Sequence, residues 1–416
     1  MDTGGVAATG RVGIPFLLAL ALSTCGPSDV GHEDGSVGVL VGWRDVTLSH
    51  VGVVTDLDLA LPRLGRVVIG ADERLYVPQR DDDAIRVHEP GGRLLTTIGR
   101  RGQGPGEFRS LGDIGLIGDT LYALDSGKSQ VSLFDLDGRV LTSRSFRPRT
   151  FPTAGRGFAI VAPAVPQTFV LRPDGTSLVR PSVLSSGGGA PPEPAVVTEV
   201  VPVPLLHLDE RSLVLDTVVW EARRGSSLFL PHGGEVFRVS VPFSDEPLFT
   251  LMPDGSGVVV VDRLSAPDTR ESAFTVTLIG PGRDTVYSRS FSYRPLVLAD
   301  ADVRLALERA PLSPVDHPDP PPVAAIEEAL RSVGLVPATR TPVSHVSAGQ
   351  DGSVWLRREE TGGSVAWDVV DEKGRPAGRL HLPGEQTVVA ARGSLMVALA
   401  VDAPEGPRLV AYRLLR

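Results

Sequence analysis

Apolar residues along most of this chain fall in short runs separated by residues that favour turns. Leu75-Tyr76-Val77, Leu121-Tyr122-Ala123, Val258-Val259-Val260-Val261 and Val354-Trp355-Leu356 are runs of this kind. Beside them stand turn signals such as Gly91-Gly92, Asp137-Gly138, Asp254-Gly255 and Asp351-Gly352. Glycine adopts the positive φ of a tight turn at little cost, and aspartate tolerates it. The pattern predicts many short β-strands joined by hairpins.

The runs repeat. Asp72-Glu73-Arg74-Leu75-Tyr76-Val77 matches Gly118-Asp119-Thr120-Leu121-Tyr122-Ala123, with the tyrosines 46 residues apart. Val87-His88-Glu89-Pro90-Gly91-Gly92-Arg93 matches Leu133-Phe134-Asp135-Leu136-Asp137-Gly138-Arg139 at the same offset of 46. Further copies begin at Asp351 and, in degenerate form, at Asp254, with a partial one at Phe169–Gly175. A period of 40–50 residues with about four strands per unit is that of a β-propeller blade. Residues 40–416, less a helical insertion of about 45, leave about 330, enough for six blades of about 55 or seven of about 46. The longer middle units favour six, so the expected class is all-β, a six-bladed β-propeller with a short helical insertion and seven blades as the alternative. Three strands near the end, Thr387–Ala391, Ser394–Val401 and Arg408–Leu415, lack a fourth. Trp43–Val54 would supply it and close the ring, leaving no edge strand open to aggregation.

The stretch Gly99-Arg100-Arg101-Gly102-Gln103-Gly104-Pro105-Gly106-Glu107-Phe108, following the Gly92-Arg93 turn, resembles the blade junction of NHL-type repeats. More broadly, the chain resembles bacterial six-bladed β-propeller proteins of the NHL-like class, many of them secreted or lipid-anchored. The resemblance is strongest over 65–147 and 345–382, and weakest over 148–230. It implies a fold and carries no activity with it, because propellers host many functions.

One segment, 296–340, departs from the strand pattern. Val303, Leu307 and Ala310 make one helical stripe, and Val323, Ile326, Leu330 and Val333 another. Glu327 stands four residues before Arg331, the favourable order for a helix ion pair, and Gly334 suits a helix stop. Between the helices six of the twelve residues 311–322 are proline. The expectation is a helical insertion between blades that covers one mouth of the channel.

At the amino terminus Arg11 precedes the apolar run Ile14–Leu22, whose nine residues fall short of the about 20 that cross a bilayer core. They fit a signal peptide. Cys25, the only cysteine, closes it in Leu22-Ser23-Thr24-Cys25-Gly26, which looks like a bacterial lipobox. Residues 1–25 then read as a signal with lipid attachment at Cys25, 26–39 as a flexible tether, and 40–416 as the propeller. The expected localisation is exported and anchored in the cell envelope, with membrane contact through the lipid alone. The alternative is an ordinary secretion signal with an incidental cysteine. A lone cysteine permits no intrachain disulfide, so packing must supply the stability.

Composition narrows the partners. A net charge of −9 and a pI near 5.5 argue against a nucleic-acid platform, which needs a basic face. Lysine occurs only at Lys128 and Lys373, so arginine carries nearly all the positive charge.

Candidate chemistry is sparse. The glycine-rich stretch 99–108 lacks the Gly-Lys-Ser/Thr ending of a phosphate-binding loop and reads as an inter-blade turn. Arg100, Arg101 and Arg109 on or beside it are candidate ligand-binding groups, since guanidinium clamps carboxylates and phosphates. Asp81-Asp82-Asp83 suggests Ca²⁺, but adjacent turn positions point apart, so a solvated hairpin turn is the preferred reading. The eight histidines show no close metal-ligand spacing; His88 falls where the next unit has Phe134, a packing position. No Gly-x-Ser-x-Gly elbow is present. Gln79, Asp125, Asp262 and Arg357 are expected at the ends of inner strands, with Asp125 and Asp262 as candidate channel ligands. The functional expectation is a non-enzymatic binding or scaffolding propeller without cofactor, its partner an envelope protein, a glycan or a small molecule. The alternative is a lactonase-like calcium-dependent hydrolase, or a lyase, with the metal in the channel.

Overall fold

The repeated turn sequences act through one backbone device. In Glu89–Arg93, Asp135–Arg139 and Asp371–Arg375 the fourth residue is glycine, with φ of 98°, 89° and 79° at Gly92, Gly138 and Gly374. Each donates its N–H to the carbonyl three residues back, at 2.9, 3.1 and 2.9 Å. A side chain in this left-handed region is strained, and glycine is not. A register shift follows in each hairpin, at His88, Phe134 and Val370. It bends the outer strand and sharpens the twist.

Such hairpins build six of the seven sheets, the seventh pairing Phe158–Ile160 with Val183–Ser185, in this computed structural model. It describes residues 43–54, 65–148, 158–160, 166–185, 195–242, 245–264, 270–308, 312–313, 319–360, 364–401 and 406–415. The expected signal peptide, tether and Cys25 lie outside the described residues.

Blade 1 comprises Val68–Ile69, Leu75–Gln79, Ala84–His88 and Leu94–Ile98, and blade 2 Leu111–Ile117, Thr120–Asp125, Gln130–Phe134 and Val140–Ser145. Blade 4 is Leu248–Leu251, Val258–Asp262, Ser272–Ile279 and Thr285–Tyr293; blade 5 is His345–Ala348, Val354–Glu359, Val365–Val370 and Pro376–His381. Blade 6 takes Gln386–Arg392, Leu395–Ala400 and Arg408–Leu415 from the end of the chain and Thr47–Val54 from near its start. The two ends pair antiparallel from Thr47 opposite Leu415 to Val54 opposite Leu409. The first strands of neighbouring blades approach one another, so they line the axis, and the fourth strands form the rim. All five residues of Leu75–Gln79 are buried, whereas Leu94–Ile98 is mostly exposed.

The core lies between blades. Six buried clusters bridge successive pairs: Phe108 and Phe134 between blades 1 and 2, Tyr122 and Phe169 between 2 and 3, Leu205 and Val258 between 3 and 4. Phe274 and Leu356 join blades 4 and 5, Trp355 and Met396 join 5 and 6, and Val397 and Leu75 join 6 and 1.

Blade 3 breaks the repeat. Pro166–Leu171 and Ser177–Pro181 are ordinary, but the next two strands are Ala195–Leu208, of 14 residues, and Val214–His232, of 19. Their pairing runs from Leu208 opposite Val214 to Ala195 opposite Phe229. Only Leu206–Leu208 also pairs with the second strand. The rest continues past the blade and gains Glu235–Ser240 and Leu312–Ser313. Pro202 and Pro204 inside the stretch hide it from a strand reading, because proline normally excludes a central strand.

The insertion expected at 296–340 forms α1, Asp300–Glu308, and α2, Val323–Ser332, between blades 4 and 5. Val303, Leu307, Ile326 and Leu330 pack with Leu228 and Val239 of the blade 3 extension in a seventh cluster. The Arg331–Glu327 pair forms at 3.0 Å, and Gly334 follows the end of α2 with φ of 70°. Val333 caps α2 and is exposed, outside the buried stripe in which it was expected. Among the described residues no helix is long and apolar enough to cross a membrane.

The closing seam sets a test. A Cβ on Gly52, in the strand taken from near the chain start, would lie 2.4 Å from Gly91 Cα of blade 1, while a Cβ on Gly91 would meet nothing within 4 Å. Gly52→Ala is expected to destabilise by about 1–3 kcal/mol and Gly91→Ala to stay within about 0.5 kcal/mol of the parent, both read from urea unfolding. Equal effects would show that the seam is not in this close contact.

Candidate functional site

Strand direction alternates within each sheet, so loops from one blade's rim to the next blade's first strand share a face with the turns after each second strand. Arg100, Arg101, Arg109, Asp125 and Asp262 all lie on this loop face. Gln79, Asp125 and Asp262 end second strands and Arg357 lies two residues before the end of one, not on the inner strands where they were expected. The repeated Leu-Tyr-Val run is the second strand; the inner strand of blade 1 is only Val68–Ile69 and has no motif of its own.

The structure gives most of these side chains local partners. Arg100 Nε donates to Glu107 Oε1 at 2.8 Å within its own loop. Arg101 Nε donates to Asp83 Oδ2, and a second nitrogen to the Asp81 carbonyl, both at 2.8 Å. Asp83 Oδ1 accepts the Leu111 N–H at 2.9 Å, and Asp82 pairs with Arg86 at 3.1 Å. The three aspartates therefore go separate ways, and Asp83 is buried instead of solvated. Arg109 is exposed, and its guanidinium bonds to nothing among the described residues.

Asp125 is 1% exposed. Its Oδ2 accepts the Arg109 N–H at 2.8 Å, and its Oδ1 those of Ser110 and Lys128 at 3.1 and 3.0 Å. Asp262 is exposed on blade 4, with blade 3 between it and Asp125. The glycine-rich stretch is an inter-blade turn: the Phe108 N–H bonds the Arg100 carbonyl at 2.8 Å, and Lys128 Nζ caps the Gly104 and Glu107 carbonyls at 3.0 and 2.7 Å. His88 is buried opposite Leu75, as Phe134 is opposite Leu121. Among the described residues no group of three or more His, Cys, Asp or Glu side chains is placed to hold a metal ion.

The axis is crossed by polar side chains that the sequence reading missed. Asp113, on the first strand of blade 2, pairs with Arg80 of blade 1 at 3.1 Å and accepts the Phe169 N–H of blade 3 at 2.8 Å. Arg66 donates to the Phe169 carbonyl at 3.2 Å. Gln350 of blade 5 takes both backbone groups of Ile69, at 2.6 and 3.0 Å, and Arg392 adds a bond to the Ile69 carbonyl at 3.0 Å. A space of about 130 Å³ remains among Arg66, Thr250, Ser347 and Gln350. A carboxylate within the apolar run Leu111–Ile117 was the available signal for Asp113.

A larger cavity, about 420 Å³, lies on the loop face where the insertion meets blades 4 and 5. Leu298, Leu305 and Ala306 line its insertion side, and Arg263, Ser344 and Glu359 its propeller side. Arg340 holds the two together, bonding Asp302 of α1 at 2.6 Å and Glu359 of blade 5. Arg263 is 8% exposed. Its Nε donates to the Glu246 carbonyl at 2.6 Å, and its Nη1 to the Val343 carbonyl at 2.9 Å and Thr341 Oγ1 at 3.3 Å. Burial lowers its pKa, opposed by Glu246 and Asp245. Its neighbour Asp262, the last residue of the strand, was the one picked from sequence and is exposed; the buried residue is Arg263, just beyond the strand end.

The DUF5128 family model, described as "6-bladed beta-propeller", matches residues 48–147. The chain is a six-bladed β-propeller, similar over its length to several solved structures. One is a member of the DUF4221 family from Bacteroides vulgatus, at 10% identity and a TM-score of 0.43, with 90% of this chain and 99% of that one covered. Another is virginiamycin B lyase from Staphylococcus aureus, at 9% identity and 0.37, covering 89% and 100%. A third is a gluconolactonase from Xanthomonas campestris, at 13% and 0.35, covering 94% and 96%. At these values no residue role passes from them to this chain. No curated protein matches the sequence.

The axial network sets the second test. Removing buried Asp113 leaves half-buried Arg80 unpaired and the Phe169 N–H without its acceptor, so Asp113→Ala is expected to cost about 2 kcal/mol. In an Arg80→Met background the same change should cost clearly less, read from urea unfolding of the four proteins. Additive effects would show that Asp113 and Arg80 do not act as a pair.

Proposed function

We propose that this protein is a non-enzymatic binding propeller of the bacterial cell envelope that takes a small molecule between its helical insertion and the loop face of blades 4 and 5. One observation carries the reading: a cavity of about 420 Å³ that mixes apolar and ionic walls and is lined by a buried arginine. Binding pockets combine an apolar lining with a few placed polar groups. The Asp302–Arg340–Glu359 bridge supports it, since it fixes the insertion to blade 5. The sequence adds support through its lack of a nucleophile elbow.

The reading is tested by thermal melting of the purified protein against neutral, cationic and anionic aromatic fragments and CaCl₂. A ligand that binds the folded state raises stability by about 2.7 kcal/mol at a hundredfold excess over Kd. Stabilisation by a fragment, lost in Leu305→Trp, which fills the cavity, is the expected result. No stabilisation by any fragment overturns the reading. A reproducible stabilisation by Ca²⁺, reversed by EDTA and lost in Asp125→Ala or Asp262→Ala, would replace it with the calcium-dependent hydrolase.

Export and lipid anchoring through Cys25 complete the proposal and rest on the run Ile14–Leu22 ahead of Leu22-Ser23-Thr24-Cys25. Metabolic labelling with a fatty-acid analogue is expected to mark the wild type and not Cys25→Ala. Equal labelling of the two would refute the anchor.

A further inference from the structure

The cavity's ionic groups are not equivalent. Asp302 and Glu359 both form ion pairs with Arg340, so the carboxylates of that wall already have a cation beside them. The hydroxyl of Ser344 is likewise engaged with Arg357, whose Nη1 donates to it at 3.0 Å. Arg263 differs. Its Nε and Nη1 are spent on two carbonyls and on Thr341 Oγ1, and among the described residues Nη2 makes no bond. Thr341 Oγ1 accepts from Arg263, so its own hydroxyl hydrogen stays available to donate. Two donors on neighbouring, mutually bonded groups thus remain at the wall of a cavity whose far side is Leu298, Leu305 and Ala306.

Resting on the reading that this cavity is the binding site, we infer that its ligand is an organic carboxylate with an apolar body, one oxygen on Arg263 Nη2 and the other on the Thr341 hydroxyl. Charge-assisted bonds of this kind are about twice as strong as neutral ones. A buried guanidinium bonded only to carbonyls and a hydroxyl gains a counter-ion when the carboxylate enters. Asp302 and Glu359 on the same cavity disfavour a doubly charged phosphate and direct the ligand's charged end towards Arg263. Burial already lowers the Arg263 pKa, against Glu246 and Asp245, in keeping with a charge that lacks solvent.

The test is titration calorimetry of the full chain with 2-naphthoate, the neutral 2-naphthamide and 2-naphthyl phosphate. Naphthoate is expected to bind at least tenfold more tightly than the other two. Thr341→Val, which keeps the side-chain shape, should weaken it several-fold, and Arg263→Met and Leu305→Trp at least tenfold. Should Arg263→Met fail to fold, Thr341→Val and Leu305→Trp still decide the matter. Tighter binding of the amide or the phosphate, or unchanged naphthoate binding in Thr341→Val, overturns the inference. If naphthoate fails while neutral or cationic fragments stabilise the protein and lose that effect in Leu305→Trp, the carboxylate assignment falls and the cavity reading stands. If no fragment stabilises it, the cavity reading itself has failed.

Discussion

The structure depends on a constraint that applies to every twisted sheet in it: both faces of each blade must be covered, and only another blade is available to cover them. The six clusters between successive blades meet that demand, and the ring leaves no blade with a bare face. Pairing of Thr47–Val54 with Arg408–Leu415 is what makes the series circular. Arg413 strengthens the same seam by bonding both oxygens of Glu73, at 2.8 and 2.7 Å, from blade 6 to blade 1. Without a disulfide to help, these contacts are the closure.

A closed ring puts the first strands around an axis, and their polar groups must be satisfied there. Asp113, Arg66, Gln350 and Arg392 do so across blades, reaching backbone groups of Phe169 and Ile69. These four side chains are thereby committed to structure, beside the space of about 130 Å³ that remains there. The cavity of about 420 Å³ lies to one side, where the insertion meets the loop face and packs on the elongated blade 3. Chemistry at that cavity comes from arginines, the residues that carry nearly all of this chain's positive charge.

The outer hairpins of blades 1, 2 and 5 could be read from the chain because their determinants are local. Gly92, Gly138 and Gly374 are favoured by the left-handed turn they occupy, so they recur at the same place in the unit. The helices were legible for a similar reason: Ile326 and Leu330 recur at helical spacing, and Glu327 meets Arg331 within one turn. Blade 3 was not legible, because its long strands carry prolines and draw support from helices a hundred residues further on.

The sequence by itself determined the repeat, the turns, the six-bladed ring and the strand that closes it, since each rests on contacts between near neighbours or on a period. It also marked Arg100, Arg101 and Arg109 for the loop face and Asp125 and Asp262 for the channel. Only the tertiary structure decided what those groups do: Asp125 is spent on three amides, Arg101 on Asp83, and the buried cation of blade 4 is Arg263, one position beyond Asp262. The cavity could not be read at all, because Arg263, Thr341 and Leu305 come from separate stretches of chain. Their approach is set by the packing of α1 and α2 on a neighbouring blade, which no local pattern encodes.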